Sequence, residues 1–592
     1  MQTNVTQDFI FGTMATDELR LATIEAQGRQ VYHGNRIVPS DPEPGQPVVL
    51  TISVGTEISA DAVTVYYTTD GGLPTSTSPT VPAERVEVVW DTLLWGYRQE
   101  WQATLPSQPQ GTHVRYRVAA ADRNGTTVWA EPDPVTAEPA TFAYHVDQEH
   151  VPEWIREAVI YHIFVDRFYP GDGRDWNNVP TFNDIWGGTL RGVIEQLPYL
   201  QELGVTCLWL SPVFPSPSHH GYDATDYWHV EPRLGTDDDL RELFAAAHAR
   251  GMRVLLDYVA NHVSNEHPAF VRASTDPDTP ERRWFTFETW PDVYRSFFGV
   301  KTLPQLDNEH PAARRYVIDG AKYWLEQGAD GFRLDYANGP SHGFWTQFRA
   351  ETRAVKPDSF TVGEIVETAE LQRSYQGRLD GVLDFLLLQH IRAFFAFDTI
   401  TPSALDSFLR RHLAYFPNDF VLPSFLDNHD MNRFLWVVGG DVRRLQLAAL
   451  CQFTLPHPPI IYYGTEVGLS QRHDLEYPDG SRRMEESRTP MPWGADQDQE
   501  LLQFYKRLIA LRRQETELWS GERRTLAVND AGCYVFEISH GERTVIVGLN
   551  RGTVEQHVVV SPDATLSLSS GEVRLVEGRL VLGAMSGALL FC

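Results

Sequence analysis

The spacing of hydrophobic positions divides the chain into parts with different periods. Between about residues 31 and 147, apolar and polar residues alternate in short segments such as 48–54 and 63–69. The second of these leads into the turn sequence Asp70-Gly71-Gly72. Short alternating segments between turns predict an immunoglobulin-like β-sandwich over residues 31–147. Residues 1–30 precede it as an N-terminal segment with little pattern of its own.

A second pattern begins near residue 152, where short apolar runs alternate with segments of helical period. The predicted strands are 159–165, 206–210, 254–258, 331–334, 360–362, 381–385, 421–426 and 460–463. Helical segments such as 240–249 and 312–327 lie between them. Eight successive β/α units predict a (β/α)8 TIM barrel over residues 152–515.

Two further segments complete the predicted organisation. Residues 262–311 are too long for a simple loop after the third strand, and predict a small inserted subdomain. The helix predicted over 500–514 closes the barrel, and alternation returns over residues 516–592 as a C-terminal antiparallel β domain. We therefore expect a multidomain chain in which a TIM barrel is flanked by two β domains.

Composition narrows the classes of partner and compartment. The net charge of −29 over 592 residues disfavours nucleic acid and anionic membranes as partners. Apolar runs are too short to span a bilayer, and the first eight residues lack the basic and apolar regions of a signal peptide. We expect a cytoplasmic protein. The four cysteines show neither metal-ligand spacing nor a disulfide framework.

Four aromatic residues of the predicted sandwich have two interpretations. Trp90, Trp95, Tyr97 and Trp101 lie close together in the sequence. They are candidates for stacking on sugar rings, as in a carbohydrate-binding module. We favour the alternative that they fill the sandwich core or meet the next domain, because large aromatic side chains are usually buried.

Polar residues follow several predicted barrel strands at the point where each strand ends. They are Tyr222 after strand two, Asp257 and His262 after strand three, Arg333 and Asp335 at strand four, Glu364 after strand five, and His429 and Asp430 after strand seven. The C-terminal ends of barrel strands meet at one face, where barrel enzymes place their active sites. Paired carboxylates at such a face are typical of glycoside hydrolysis, with one as nucleophile and the other as general acid/base. No glycine-rich loop opens a helix, so a nucleotide cofactor is not expected.

Four segments resemble the signature regions of glycoside hydrolase family 13, the α-amylase family. They are residues 257–262, 331–335, 363–364 and 425–430, with further matches at 204–212, 459–466 and 488–493. The resemblance implies a retaining mechanism with Asp335 as nucleophile, Glu364 as acid/base and Asp430 as third carboxylate. It also implies the residues that hold the reacting sugar: Tyr222 by stacking, His262 and His429 by hydrogen bonds, and Arg333 by keeping Asp335 charged. Asp257 is interpreted as a partner of Arg333.

The order of domains resembles the cyclomaltodextrinase, neopullulanase and maltogenic amylase group. The segment 303–307 resembles the fifth region of that group, but Gln305 and Asp307 stand where Lys and Asn are usual, and Gly339 stands where Glu is usual. The resemblance implies hydrolysis of α-glucosidic bonds, mainly α-1,4, in malto-oligosaccharides, cyclodextrins or pullulan. The departures put bond and substrate preference in doubt. An oligosaccharide α-glucosidase or transglycosylase is the alternative, and a non-catalytic amylase-fold binding protein is disfavoured because the three carboxylates are present.

The resemblance has two further implications. The chemistry requires no cofactor, but some relatives carry a structural calcium ion, for which Asn261, Asp172 and Asp175 are the candidate ligands. Thr189 stands where relatives with that calcium loop usually have Asp, which weakens the site. The N-terminal sandwich is also expected to cover a partner's cleft in a homodimer.

Overall fold

The computed structural model describes residues 17–477, 481 and 483–592. Its first element is helix α1 (Asp17–Arg29), which the sequence pattern did not predict. The sandwich follows as two antiparallel sheets. Their strands are β1 (Val31–Tyr32), β2 (Ile37–Val38), β3 (Val48–Val54), β4 (Ala62–Thr68), β5 (Thr80–Pro82), β6 (Glu84–Asp91), β7 (Gly96–Leu105), β8 (His113–Ala121), β9 (Thr127–Trp129) and β10 (Phe142–His145). One sheet has the order β1-β3-β7-β6 with β2 on β3, and the other has β10-β8-β4-β5 with β9 on β8.

The aromatic residues of the sandwich divide into one buried and three exposed side chains. Trp101 is 6% exposed and packs in the core between the sheets, as predicted. Trp90, Trp95 and Tyr97 are 42%, 77% and 67% exposed, so the prediction that they are buried is wrong. They lie at the turn between β6 and β7, and β6 is an edge strand whose side chains are mostly exposed.

The barrel strands agree closely with the alternating apolar runs. In the described residues they are β11 (Ile160–Ile163), β12 (Cys207–Leu210), β13 (Arg253–Tyr258), β16 (Gly331–Leu334), β17 (Phe360–Gly363), β18 (Gly381–Val382) and β19 (Ile460–Tyr462). They form one parallel sheet in the order β18-β17-β16-β13-β12-β11-β19. Gly331 has a φ of +150°, and an added Cβ would lie 2.0 Å from the carbonyl oxygen of Phe360 on the next strand. Only glycine allows this close approach.

Two predicted strands differ most from the structure. The run 421–426 contributes only isolated parallel bridges, from Val421 to Gly381 and from Ser424 to Pro459, and these bridges join β18 to β19. A longer ladder is prevented because Pro423 has no N–H to donate. The run 381–385 ends as a strand at Val382, because the side chain of Asp384 caps the next helix.

The helices surround the parallel sheet. They are α2 (Glu153–Arg156), α3 (Leu190–Leu203), α4 (Asp237–His248), α5 (Pro268–Thr275), α6 (Pro311–Gln327), α7 (His342–Val355), α8 (Ala369–Arg373), α9 (Phe385–Phe395), α10 (Pro402–Tyr415), α11 (Phe434–Val437), α12 (Val442–Phe453) and α13 (Gln499–Gln514). The inserted segment 262–311 contains α5 and the hairpin of β14 (Phe287–Thr289) and β15 (Val293–Tyr294). Among the described residues, none of the helices combines the length and apolar character needed to cross a membrane.

The C-terminal β domain packs on the barrel, and the two share one buried hydrophobic cluster. Its strands are β20 (Glu522–Asn529), β21 (Cys533–His540), β22 (Arg543–Asn550), β23 (Gln556–Val559), β24 (Thr565–Ser570), β25 (Val573–Val576), β26 (Arg579–Leu582) and β27 (Ser586–Phe591). Tyr534, Phe536 and Leu589 belong to the same buried cluster as the barrel residues. The sandwich instead has its own core and meets the barrel through buried polar contacts, such as Arg378 Nη1 to the Ser40 carbonyl at 2.6 Å.

Candidate active site

The two carboxylates predicted to form the catalytic pair end adjacent strands of the barrel. Asp335 follows β16 and Glu364 follows β17, and β16 pairs with β17 in parallel. Both are buried. The backbone N–H of Tyr336, the residue after Asp335, donates a hydrogen bond of 3.1 Å to Oε2 of Glu364. The fold therefore brings together two acidic side chains that are 29 positions apart in the sequence.

The Arg333 guanidinium joins both members of this pair to a third carboxylate. Nη1 donates to Oδ1 of Asp257 at 2.8 Å and to Oδ1 of Asp335 at 3.0 Å. Nη2 lies 2.7 Å from Oε1 of Glu364, an ion-pair distance that lacks hydrogen-bond geometry. Asp257 also accepts from Nε1 of Trp209 at 3.0 Å. The interpretation of Asp257 as a partner of Arg333 is confirmed.

Burial and the neighbouring charges act on the pKa of both carboxylates in opposite directions. It raises the pKa of Asp335, and although Arg333 lowers that pKa, the nearby carboxylates raise it further. Burial also raises the pKa of Glu364, again against the lowering effect of Arg333. The predicted contact between Arg333 and Asp335 is present, and Arg333 lowers the pKa of Asp335 while burial and the other carboxylates raise it. The charged state of Asp335 in the working site stays a prediction. One guanidinium shared by three buried carboxylates does not compensate for their desolvation and mutual repulsion.

Asp430 lies against a histidine and an arginine that oppose the effect of its burial. It lies 2.9 Å from Nε2 of His429 and accepts a hydrogen bond of 3.1 Å from Nη2 of Arg488. Burial raises the pKa of Asp430, but His429 and then Arg488 and Arg333 outweigh it, so the pKa lies below its usual range. Arg488 also donates from Nε to the His429 carbonyl at 2.8 Å. These neighbours favour the charged form of the predicted third carboxylate.

Tyr222 and His429 form a stacked layer against this cluster. Their rings are 5.3 Å apart with an interplanar angle of 3°, and the Tyr222 hydroxyl lies 2.6 Å from Nε2 of His429. The same hydroxyl donates to Oδ2 of Asp257 at 2.9 Å. Tyr222 is only partly buried, which leaves ring surface for a ligand.

His262 connects the cleft to the inserted segment. Its Nε2 lies 3.1 Å from the Tyr222 carbonyl, and its ring stacks on Phe297 at 4.5 Å. The backbone of His262 bridges to Gln305. Burial lowers the pKa of His262 to about 4, so the ring is neutral at neutral pH. These contacts place His262 beside the site and also give it a bracing role.

The sequence reasoning missed several residues around the carboxylates. Arg488 lies within the matching segment 488–493 but was not assigned to the site. Tyr336 and Phe298 form an aromatic edge, with their rings 5.4 Å apart, and Phe298 is 62% exposed. Both have a positive φ, +40° for Tyr336 and +47° for Phe298, which bulky residues rarely adopt. The sequence signal was the aromatic residue directly after Asp335; no local pattern identified Phe298.

The calcium candidates do not share one site. Asn261 contacts His262 through its side-chain amide, whereas Asp172 is bound to Glu195 through its backbone N–H. The Oδ1 atom of Asn261 has no hydrogen-bond partner in the described structure, but it lies 2.1 Å from the position of an added Cβ at Gly339. In the part of the chain that the structure describes, no cluster of three or more His, Cys, Asp or Glu residues could hold a metal ion. The calcium predictions for Asn261, Asp172 and Asp175 therefore stay predictions.

A barrel with paired carboxylates at the C-terminal ends of its strands defines a glycoside hydrolase class of site. The family model described as "Alpha amylase, catalytic domain" matches residues 162–498. Alpha-amylase 2 of Dictyoglomus thermophilum is 39% identical over 379 residues, which cover 64% of this chain and 66% of that protein. Neopullulanase 2 of Thermoactinomyces vulgaris is 36% identical over 430 residues, covering 69% of this chain and 72% of that protein.

A solved structure described as a cyclomaltodextrinase superposes with a TM-score of 0.68 at 27% identity, covering 95% of this chain and 99% of that one. The chain belongs to the α-amylase family of glycoside hydrolases. The predicted resemblance to this family, the TIM-barrel fold with flanking β domains and the enzyme class are confirmed.

Proposed function

We propose that this chain hydrolyses α-glucosidic bonds, mainly α-1,4, in malto-oligosaccharides, cyclodextrins or pullulan, with Asp335 as nucleophile and Glu364 as acid/base. The observation that carries this assignment is the shared Arg333 guanidinium, which contacts both carboxylates. The names of the relatives, neopullulanase and cyclomaltodextrinase among them, support the substrate class.

In the first step, an ionised Asp335 oxygen attacks the anomeric carbon of the bound sugar. The bond to the leaving oxygen breaks, and Glu364 gives its proton to that oxygen. The raised pKa of Glu364 supports its role as the proton donor. The product of this step is a glycosyl ester on Asp335 and a released sugar.

In the second step, Glu364 takes a proton from water as the water oxygen attacks the same carbon. The ester bond to Asp335 breaks, and the carboxylate is regenerated beside Arg333. Asp430, held ionised by His429 and Arg488, accepts hydrogen bonds from sugar hydroxyls. The Tyr222 ring packs on the reacting sugar and excludes water from the bond that breaks.

Transfer to a second sugar is the alternative outcome of the same intermediate. The rings of Phe298 and Tyr336 offer an aromatic surface to an incoming sugar. This surface lies next to Glu364, the residue that activates the acceptor, because the Tyr336 N–H donates to the Glu364 carboxylate. Product analysis with maltotriose, pullulan, β-cyclodextrin and isomaltose distinguishes hydrolysis from transfer and shows the preferred bond.

The decisive experiment follows the anomer that is released first. Proton NMR of the initial products should show the α-anomer, and Asp335→Asn and Glu364→Gln should each abolish turnover with an unchanged circular dichroism spectrum. Asp530→Asn, at an exposed position of the C-terminal domain, is the control. Initial release of the β-anomer would contradict the retaining roles of the pair.

A homodimer remains part of this proposal. The exposed cluster of Trp90, Trp95 and Tyr97 supports it, since such rings on an edge hairpin are typical of an interface. Sedimentation of the full chain and of a triple alanine variant of this cluster measures the mass directly. A wild-type monomer at all concentrations would remove the dimer.

A further inference from the structure

The loop between β11 and α3 is organised around one side chain, Arg174. Its Nη2 donates to the Pro170 carbonyl at 2.8 Å and to Oγ1 of Thr189 at 3.2 Å, and its Nε donates to the Gly171 carbonyl at 3.3 Å. The same Nη2 lies 3.7 Å from Oδ2 of Asp172. Oxygen atoms from both ends of the loop therefore converge on one guanidinium.

The Thr189 hydroxyl has no capacity left for calcium. Ca²⁺ requires six to eight oxygen ligands, with carboxylates prominent among them. The Thr189 hydroxyl donates to the Pro170 carbonyl at 2.8 Å and accepts from the N–H of Gly192 at 3.1 Å, in addition to Arg174. One donor hydrogen and two lone pairs are all that a hydroxyl has. The Thr189 oxygen is thus fully used by the loop and by the first turn of α3.

We infer that the Arg174 guanidinium takes the place of a structural cation in this loop, so that the loop is held without calcium. The guanidinium is a fixed positive charge whose planar N–H groups reach several carbonyl oxygens at once. It closes residues 170–174 onto Thr189, the residue that caps α3.

The rest of this connection is anchored at a second point. Asp166 accepts from the backbone N–H groups of Trp186 and Gly187 at 3.1 and 2.9 Å, at the far end of the same connection. Ile185, between these anchors, lines a pocket together with His219. Arg174 therefore fixes the same connection that carries Ile185 to this pocket.

The test compares thermal unfolding of four proteins with excess EDTA and with added CaCl₂. The wild-type Tm should be unchanged by either, and Arg174→Ala should lower Tm by about 1–2 °C without recovery on adding calcium. The double variant Arg174→Asn with Thr189→Asp exchanges the guanidinium for oxygen ligands, and its Tm should rise with calcium and fall again with EDTA. Thr189→Asp alone keeps Arg174 and is the matched control, expected to be silent to calcium.

Isothermal titration with CaCl₂ gives a second readout on the same proteins. Stoichiometric heat is expected for the double variant and not for the wild type. Three results would overturn the inference: a wild-type Tm that falls in EDTA and recovers with calcium, an Arg174→Ala variant as stable as the wild type, or a folded double variant with no calcium response.

Discussion

Arg488 Nη2 donates a hydrogen bond of 3.1 Å to Oδ1 of Asp430, and its Nε binds the carbonyl of the preceding residue, His429. One guanidinium thus fixes both the charge and the backbone of the third carboxylate. Arg488 also helps to lower the pKa of Asp430 against the opposing effect of burial.

Arg488→Ala should therefore lower kcat/KM by about 10- to 100-fold, equivalent to roughly 1.5–3 kcal/mol for a charged hydrogen bond. Because the variant raises the Asp430 pKa, the acidic limb of the pH–activity profile should move to higher pH. The exposed Arg472, changed to Ala, is the control. An unchanged acidic limb would show that Arg488 supports the fold only.

Glu364 makes stability depend on pH. Burial raises its pKa in the folded state, so the folded chain binds this proton more tightly than the unfolded chain. The contribution to stability is fully present below the unfolded pKa and is lost as pH rises through the folded pKa. Glu364→Gln carries no ionisable group and escapes this loss.

The variant should therefore gain Tm relative to the wild type, by about 2 °C, when measured at about pH 8, and lose this advantage at about pH 4. The exposed Glu500→Gln is the matched control and should show no such difference. An equal Tm difference for Glu364→Gln at both pH values would contradict the raised pKa.

Phe298 should contribute to binding of the leaving sugar and not to cleavage of the glycosidic bond itself. Its ring contacts Tyr336 on the side of Glu364, where the leaving group accepts its proton. Phe298→Ala should lower kcat/KM for maltotriose up to about tenfold, the size of an aromatic contact of roughly 0.5–1.5 kcal/mol. The rate with α-maltosyl fluoride, whose leaving group is not a sugar, should change little. Val300→Ala, at an exposed position of the same segment, is the control. Equal losses of activity on both substrates in Phe298→Ala would exclude a role of Phe298 in binding the leaving sugar.

His262 should contribute to both activity and stability. It bonds the Tyr222 carbonyl and stacks on Phe297, so His262→Asn keeps a hydrogen-bonding group but loses the ring contact. We expect Tm to fall by about 2–4 °C and kcat to fall in the folded enzyme. The exposed His229→Asn is the control. A lower Tm with normal kcat would assign His262 to bracing alone.

Much of the fold follows from local patterns. Four barrel-strand residues, Gly331–Leu334, match the structure exactly as an apolar run between turns, and Asp335 and Glu364 were identified because polar residues at barrel strand ends share one face. The sequence shows that Pro423 has no N–H to donate. That this leaves only isolated bridges in the run 421–426 becomes clear when the neighbouring strands are known.

The sequence by itself determined the order of strands and helices, the family and the carboxylates, because these depend on residue period and on motifs a few positions long. The tertiary structure decided which charges share a partner. Arg488 meets Asp430 across 58 positions, and Arg174 meets Thr189 across 15. It also decided that Trp101 is buried while Trp95 is exposed, and that burial raises the pKa of Asp335 despite Arg333. Desolvation and long-range contacts arise only when distant segments pack together, so no local pattern carries them.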